Sequence, residues 1–243
     1  MSPTAAADTE LLDNLIWHAL AGPHAHLAQA DGPARRYHPD VAVFVAVEHT
    51  EPSAWAALRR LVGPGVVVAL SGTLGEAAPP HWTRHGGGLG NQMVLRHPEL
   101  LADPDPSVRI ETLGVDDVPQ MLALVELAKP GPFRPRTIEM GSYFGVFDDD
   151  RRLLGLAGER LRAPGFTEIS AVSTHPSVRR RGLASQLTSH VARHIAARGD
   201  TPMLHVAGTN ETAKRVYDRL GFEVRSQVRF VALETPQLDE APR

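Results

Sequence analysis

The chain predicts an α/β fold: a mixed, mostly antiparallel sheet flanked by helices. Three observations point to it. Short stretches of the C-terminal half alternate apolar and polar residues, other stretches repeat apolar residues every three or four positions, and the breaks between them fall on Gly, Pro, Asp and Asn. With 243 residues, 42% hydrophobic and 22% charged, the composition suits one large globular domain or two small ones.

In chain order, Thr9 to Leu20 predicts an amphipathic helix with Leu11, Leu12, Leu15, Ile16 and Ala19 on one side. The runs "VAVFVAV" (41–47), "EPSAWAALRRLV" and "GVVVAL" read as strand, helix and strand, a βαβ-like unit whose helix carries Pro52 in its first turn and stops at Gly63-Pro64. "HGGGLG" (85–90) reads as a flexible loop; as a hydrolase oxyanion loop it lacks the G-x-S-x-G partner. "LADPDPS" (101–107) interrupts every periodic pattern and marks a domain boundary or a long connection. It divides an N-terminal α/β module (1–100) from a C-terminal domain (107–243).

The C-terminal part is more regular. "VRIETLG" is a strand, "DDVPQMLALVELAK" a helix, and "SYFGVFD" with "RRLLGLAGERLR" a hairpin turning at Asp148 to Asp150. A strand "FTEISAVSTH", a helix from Gly182 to Ala197, a strand "PMLHVAG" and a helix from Asn210 to Leu220 follow, the last helix stopping at Gly221. "FEVRSQVRFVAL" reads as a closing pair of strands.

Several function classes drop out. A net charge of −3 gives no support to nucleic-acid or membrane-surface binding. The absence of cysteine removes disulfides, thiolate metal sites and cysteine nucleophiles. "MSPTAAADTELLDNL" is acidic where a signal peptide needs a basic start, and the longest apolar run, Val41 to Val47, is too short to span a bilayer, so a cytoplasmic protein is expected. "GTNETAKR" (208–215) departs from a P-loop at Ala213 and Arg215. His190 and His194 have the i, i+4 spacing of a zinc pair but no third ligand, and His18, His24, His26 and His38 cluster only loosely, so no metal is expected.

One stretch asks for a ligand. "RRRGLASQ" (179–186) sets three arginines where a helix begins, although a helix N-terminus already carries about half a positive charge. From His175 to Arg219 there are eight Lys/Arg and three Asp/Glu, a local excess of +5 in a negative chain. An anion relieves that repulsion. The first-turn N–H groups supply unpaired donors, and Gly182 lets an oxyanion approach the backbone. Leu183, Leu187, Val191 and Ile195 would pin the helix to the sheet.

The motifs that follow suggest which anion. Arg179, Gly182 and Ala184 match Arg/Gln-x-x-Gly-x-Gly/Ala, and Asn210, Ala213, Tyr217, Gly221 and Phe222 match Asn-x-x-Ala-x-x-x-Tyr-x-x-x-Gly-Phe. On these, residues 107 to 235 resemble the GCN5-related N-acetyltransferase (GNAT) superfamily, in particular its FR47-like branch, which includes glycine N-acyltransferase-like proteins. The N-terminal hundred residues are not covered; a degenerate acyltransferase-like half, a substrate module and a homodimer module all stay open for them.

The resemblance implies acetyl-CoA as co-substrate and a primary amine, either a small molecule or an N-terminal amine, as acceptor. It implies that Arg179, Arg180, Arg181, Gly182, Leu183, Ala184 and Ser185 form the pyrophosphate loop. It further implies that Val172 and Thr174 meet the pantetheine arm through their backbone, and that Asn210, Ala213 and Tyr217 complete the coenzyme site. A phenol with an ordinary pKa of about 10 is protonated at neutral pH, so Tyr217 suits general acid to the departing thiolate. Glu168 leads as general base, because alternation puts it on one face with Ser170 and Val172; Glu159 is second. The acceptor side would be Leu127 to Tyr143, where Arg134 and Arg136 are candidates for an acceptor carboxylate, against the plainer reading of a solvated loop. A noncatalytic acyl-CoA-binding regulatory module is the alternative function.

Overall fold

The computed structural model describes residues 7–72 and 77–237. Met1 to Ala6, part of the acidic start read above for targeting, and residues 238–243 of the C-terminal domain lie outside the described residues.

A 3-10 segment (Ala7–Asn14) runs into α1 (Leu15–Ala21), so the first amphipathic element is present with its first half wound tighter. β1 (Ala28–Asp31), β2 (Ala34–Tyr37) and β3 (Val45–Val47) pair antiparallel as a small sheet. The first two escape notice in the sequence because they are four residues long and one of them reads ARRY. α2 (Pro52–Val62) buries Trp55 and Leu58 against this sheet, and Trp55 meets Trp82 edge-on at 5.4 Å. Its Pro52 occupies a first-turn position, where a missing N–H costs nothing.

β4 (Val67–Ser71) belongs to a different sheet, so the expected βαβ unit does not close. β3 and β4 approach through one parallel bridge, Phe44 with Ala69. The apolar run from Val41 narrows to three strand residues, because Val41 and Ala42 turn into the core around α1 instead.

The remaining elements are β5 (Thr83–Leu95), β6 (Glu111–Thr112), α3 (Val118–Ala128), β7 (Tyr143–Phe147), β8 (Leu153–Ala163), β9 (Phe166–Thr174), α4 (Leu183–Ala197), β10 (Thr201–Ala207), α5 (Glu211–Arg219) and β11 (Phe222–Glu234). With β4 they build an eight-stranded sheet in the order β4-β11-β5-β10-β9-β8-β7-β6. Within it only β9 and β10 run parallel.

β5 corrects two expectations. His85 to Gly90 is not a flexible loop; it lies in this strand, paired with β11 from Val228 to Val231 and beyond. Glycine has poor strand propensity, so the local pattern is silent. Close approach explains the residue type: Gly87 has φ 141°, and a Cβ there would lie 2.1 Å from the Phe230 carbonyl oxygen. The closing "pair" of strands is also one strand, β11, which serves both β5 and β4. A register shift between Val224 and Ser226 resets its alternation, which makes one strand look like two. Because β5 sits between β10 and β11, strands from both sides of Leu101 to Ser107 share a sheet, and that segment is a connection within it.

Alternation along the strands separates two faces. On one, Leu183, Leu187, Val191 and Ile195 of α4 and Tyr217 of α5 pack over Ala157, Ile169 and Leu204. On the other, α3 packs over Tyr143, Leu156 and Ala171, and α1 beside it over Leu161, Phe166 and Met203. No helix among the described residues is long and apolar enough to cross a membrane.

Candidate active site

The site begins where two parallel strands part. β9 and β10 pair only from Phe166 to Ile169 against Thr201 to Leu204. Two residues further along β9, Ala171 takes a left-handed φ of 57°, and the pairing with β8 shifts by one residue between Gly158–Ser170 and Leu156–Ser173. This is a bulge, and bulges bend the strand that carries them. A cleft of about 880 Å³ opens beyond it, walled on one side by Val172, Ser173 and Thr174 and on the other by Asn210, Ala213 and Tyr217 of the α5 segment.

The first turn of α4 closes the cleft. Its first intrahelical bond runs from Gln186 N–H to the Gly182 carbonyl at 3.1 Å, and no side chain caps the helix. The N–H groups of Leu183, Ala184 and Ser185 therefore have no intrahelical acceptor, and all three residues line the cleft. Arg180 (φ 62°) and Gly182 (φ 79°) both adopt left-handed backbone and curl the approach to the helix into a concavity, the arrangement that binds anions. No Cβ neighbour lies within 4 Å of Gly182, so its role is conformational, and its open side faces the cleft. Arg179 and Arg180 line the cleft from exposed positions; Arg181 is exposed and does not line it.

Asn210 caps α5, its side-chain oxygen accepting from Ala213 N–H at 3.1 Å, and this fixes the helix that carries Tyr217 two turns later. The Tyr217 ring packs against Phe222 at 6.1 Å, and burial pushes its phenol up to about 12. Lys214 is held away by Gly208 O (3.2 Å) and Glu211 (2.6 Å).

Of the thirteen residues expected to bind or react, eleven line the cleft, and Arg181 sits in the same loop without lining it. The thirteenth, Glu168, is not in the cleft. It is fully buried, its two oxygens taken by Arg160 at 2.9 and 2.7 Å, with His205 Nδ1 at 2.7 Å. Burial pushes its carboxyl up, but the Arg160 charge and the hydrogen bonds from Arg160 and His205 override this and hold it well below the usual carboxylate range. The face shared with Val172 does not exist, because the Ala171 bulge inserts one residue between them and moves Val172 to the opposite side. Glu159 is likewise engaged, by Arg198 Nη1 at 2.7 Å and Ser142 N–H at 3.3 Å. Arg136 is paired with Glu139 at 2.6 and 2.8 Å, whereas Arg134 lines a second cavity beside the cleft.

Sequence reasoning missed Ala128, Ser173, Val178, Thr212, Val216 and Arg219 as cleft residues. Only Arg219 carried a signal, as the last cation of the basic segment. Among the described residues no group of three or more His, Cys, Asp or Glu is placed to hold a metal ion.

A parallel pair of strands splayed at a bulge, with an uncapped helix across the gap, defines a GNAT-type fold. The profile of the family described as FR47-like protein matches residues 143–231. A crystal structure of a GNAT-family protein from Novosphingobium aromaticivorans superposes with a TM-score of 0.83 at 36% identity, covering 93% of this chain and 99% of that one. A GCN5-related N-acetyltransferase from Kribbella flavida shares the fold (TM-score 0.56, 20% identity, 97% and 96% covered). A mycothiol acetyltransferase from Rhodococcus jostii is 31% identical over 148 residues, which are 52% of this chain and 48% of that protein. This chain belongs to the GCN5-related N-acetyltransferase family. It spans about half the length of the Rhodococcus mycothiol acetyltransferases it matches.

Proposed function

We propose that the protein transfers the acetyl group of acetyl-CoA to a primary amine. The observation that carries this reading is the uncapped first turn of α4, with three unpaired N–H groups and the Arg179–Arg180 pair facing one cleft. That cradle suits a pyrophosphate, whose charge the helix N-terminus and the arginines both favour. The parted edge of β9 at Val172 to Thr174 supplies backbone groups for an extended amide-bearing arm. Family membership and relatives named acetyltransferases point the same way.

In this reading the coenzyme brings an activated thioester, and the protein positions it and manages protons. The amine nitrogen forms a bond to the acyl carbon, the carbon–sulfur bond breaks, and the thiolate takes the Tyr217 proton. Burial keeps that phenol protonated, so it is a donor and not a base. The ammonium proton leaves through water, because Glu168 and Glu159 are both engaged elsewhere.

The test is calorimetric titration with acetyl-CoA. The unmodified protein binds, Gly182→Glu loses affinity by about 100-fold through repulsion in the anion cradle, and Gly182→Ala stays within about 10-fold because only backbone strain is added. Equal binding by the Glu variant, or no binding by the unmodified protein, overturns the reading. A thiol-release screen of amines, including the acceptor of mycothiol acetyltransferases, then follows.

A further inference from the structure

A second cavity, of about 530 Å³, adjoins the cleft. The last turn of α3 divides them: Ala128 faces the cleft, while Val125, Glu126 and Lys129 face the second cavity. Val43 supplies a wall from the N-terminal half, and the loop Gly131 to Arg134 completes it. Val43, Val125, Pro132 and Phe133 give the cavity an apolar body. Phe133 stands edge-on to Tyr143 at 5.6 Å, and the buried Tyr143 hydroxyl has no hydrogen-bond partner among the described residues. Tyr143 does not itself line the cavity; it backs Phe133 from the core.

The charges at its rim are unspent. Arg136, Arg160, Arg162, Arg198 and Lys214 are each tied to a carboxylate. Lys129 and Arg134 make no side-chain hydrogen bond or ion pair among the described residues, although Glu126 lies on the same cavity. Lys129 also stands at the C-cap of α3 with φ 51° and ψ 52°, a left-handed position where glycine sits without strain. A long cation is kept there against backbone preference.

We propose that this cavity receives the acceptor, and that the acceptor is a small amine with an apolar body and a carboxylate, the carboxylate held between Lys129 and Arg134. The proposal rests on the acetyl-transfer reading. The two cations fix one end of the molecule, the apolar wall takes its body, and the amine is directed past Ala128 to the acyl end of the cleft. Lys129 and Arg134 are specificity residues; neither touches the reacting atoms.

The test compares acids with their amides: L-phenylalanine against L-phenylalaninamide and L-leucine against L-leucinamide. Calorimetry of protein saturated with CoA reads binding of each, and thiol release from acetyl-CoA reads turnover. The amide amine is the less basic of each pair, so preference for the acid runs against the supply of free amine. The expected result is at least a 10-fold preference for the acid in both readouts. In Lys129→Gln/Arg134→Gln that preference falls to near unity, through KM and not kcat, while acetyl-CoA affinity is unchanged. Lys129→Arg retains it. Amides that bind or react as well as the acids, failure of every acid to bind, or a preference that survives the double variant overturns the proposal. Failure of acetyl-CoA itself to bind is a separate result that overturns the acetyl-transfer reading, and binding of acids to the protein without coenzyme still reads the charge preference.

Discussion

Arg160 grips Glu168 with both arms of its guanidinium, at 2.9 and 2.7 Å; the carboxylate is fully buried, the Arg160 side chain is 12% exposed, and the Phe44 ring lies 4.9 Å from the guanidinium carbon. The pair joins β8 and β9 beneath the N-terminal half, so its role is to fix the sheet just before the bulge that opens the cleft. Removing Arg160 takes the full charge partner from a buried carboxylate and leaves it only His205 at 2.7 Å and the Leu161 N–H at 3.3 Å. Arg160→Met is expected to cost about 3–5 kcal/mol in urea unfolding at pH 7, and Arg160→Met with Glu168→Met to recover much of it. The carboxyl sits below its ordinary 4.5, so its contribution is full above that pH and is lost as pH falls from there through the depressed folded value. A double variant no more stable than the single one would sink this account.

Tyr217 separates binding from chemistry. Tyr217→Phe keeps the ring on Phe222 and the wall of the cleft but removes the proton. Acetyl-CoA affinity should hold within about 2-fold while kcat falls by roughly 100-fold, the scale of a lost general acid. Because burial raises the phenol to about 12, it stays protonated across neutral pH, and any alkaline fall in kcat centred well below that value belongs to another group. Unchanged kcat in the Phe variant would assign the ring to packing alone.

How much of this was legible in the sequence depends on how local each signal was. The α4 start and the α5 cap are set by residues within three or four positions of one another, and Gly182, Ser185, Asn210 and Ala213 stand where the sequence pattern put them. Glu168 failed because an alternation argument holds only for unbroken pairing, and the bulge at Ala171 is written in no residue type: an alanine sits at φ 57°. β5 was invisible because Gly87 answers to Phe230, more than 140 positions away, and the second cavity because Val43 and Arg134 meet only in the fold.

The glycine reading of β5 can be checked directly. A Cβ at Gly87 would stand 2.1 Å from the Phe230 oxygen and 3.0 Å from the Val231 Cα, both backbone atoms that cannot swing aside. Gly87→Ala should therefore part β5 from β11 locally and cost about 2–4 kcal/mol, with loss of hydrogen-exchange protection at Val231 and its neighbours. Gly86→Ala, whose Cβ meets nothing within 4 Å, should cost about 1 kcal/mol from backbone conformation alone. Equal effects at the two positions would show that conformation, not contact, selects glycine here.

His24 gives the N-terminal half its own acid sensitivity. It is 3% exposed, and its Nδ1 lies 2.8 Å from the Tyr37 hydroxyl. Burial first, and the nearby His26 second, lower it from 6.5 to about 4. The unfolded chain therefore binds a proton at higher pH than the folded one, so the contribution is full above pH 6.5 and is lost as pH falls through about 4. Fully lost, it amounts to about 3 kcal/mol. His97 works in the opposite direction, raised by its hydrogen bonds to Glu223 and Glu99, but it is exposed and common to any variant at position 24. Urea midpoints measured from pH 7.5 to 4.5 should fall for the unmodified protein and fall less for His24→Gln, which starts lower at neutral pH. The difference between the two curves isolates His24, and parallel curves would show that the buried imidazole accepts its proton without opening the fold.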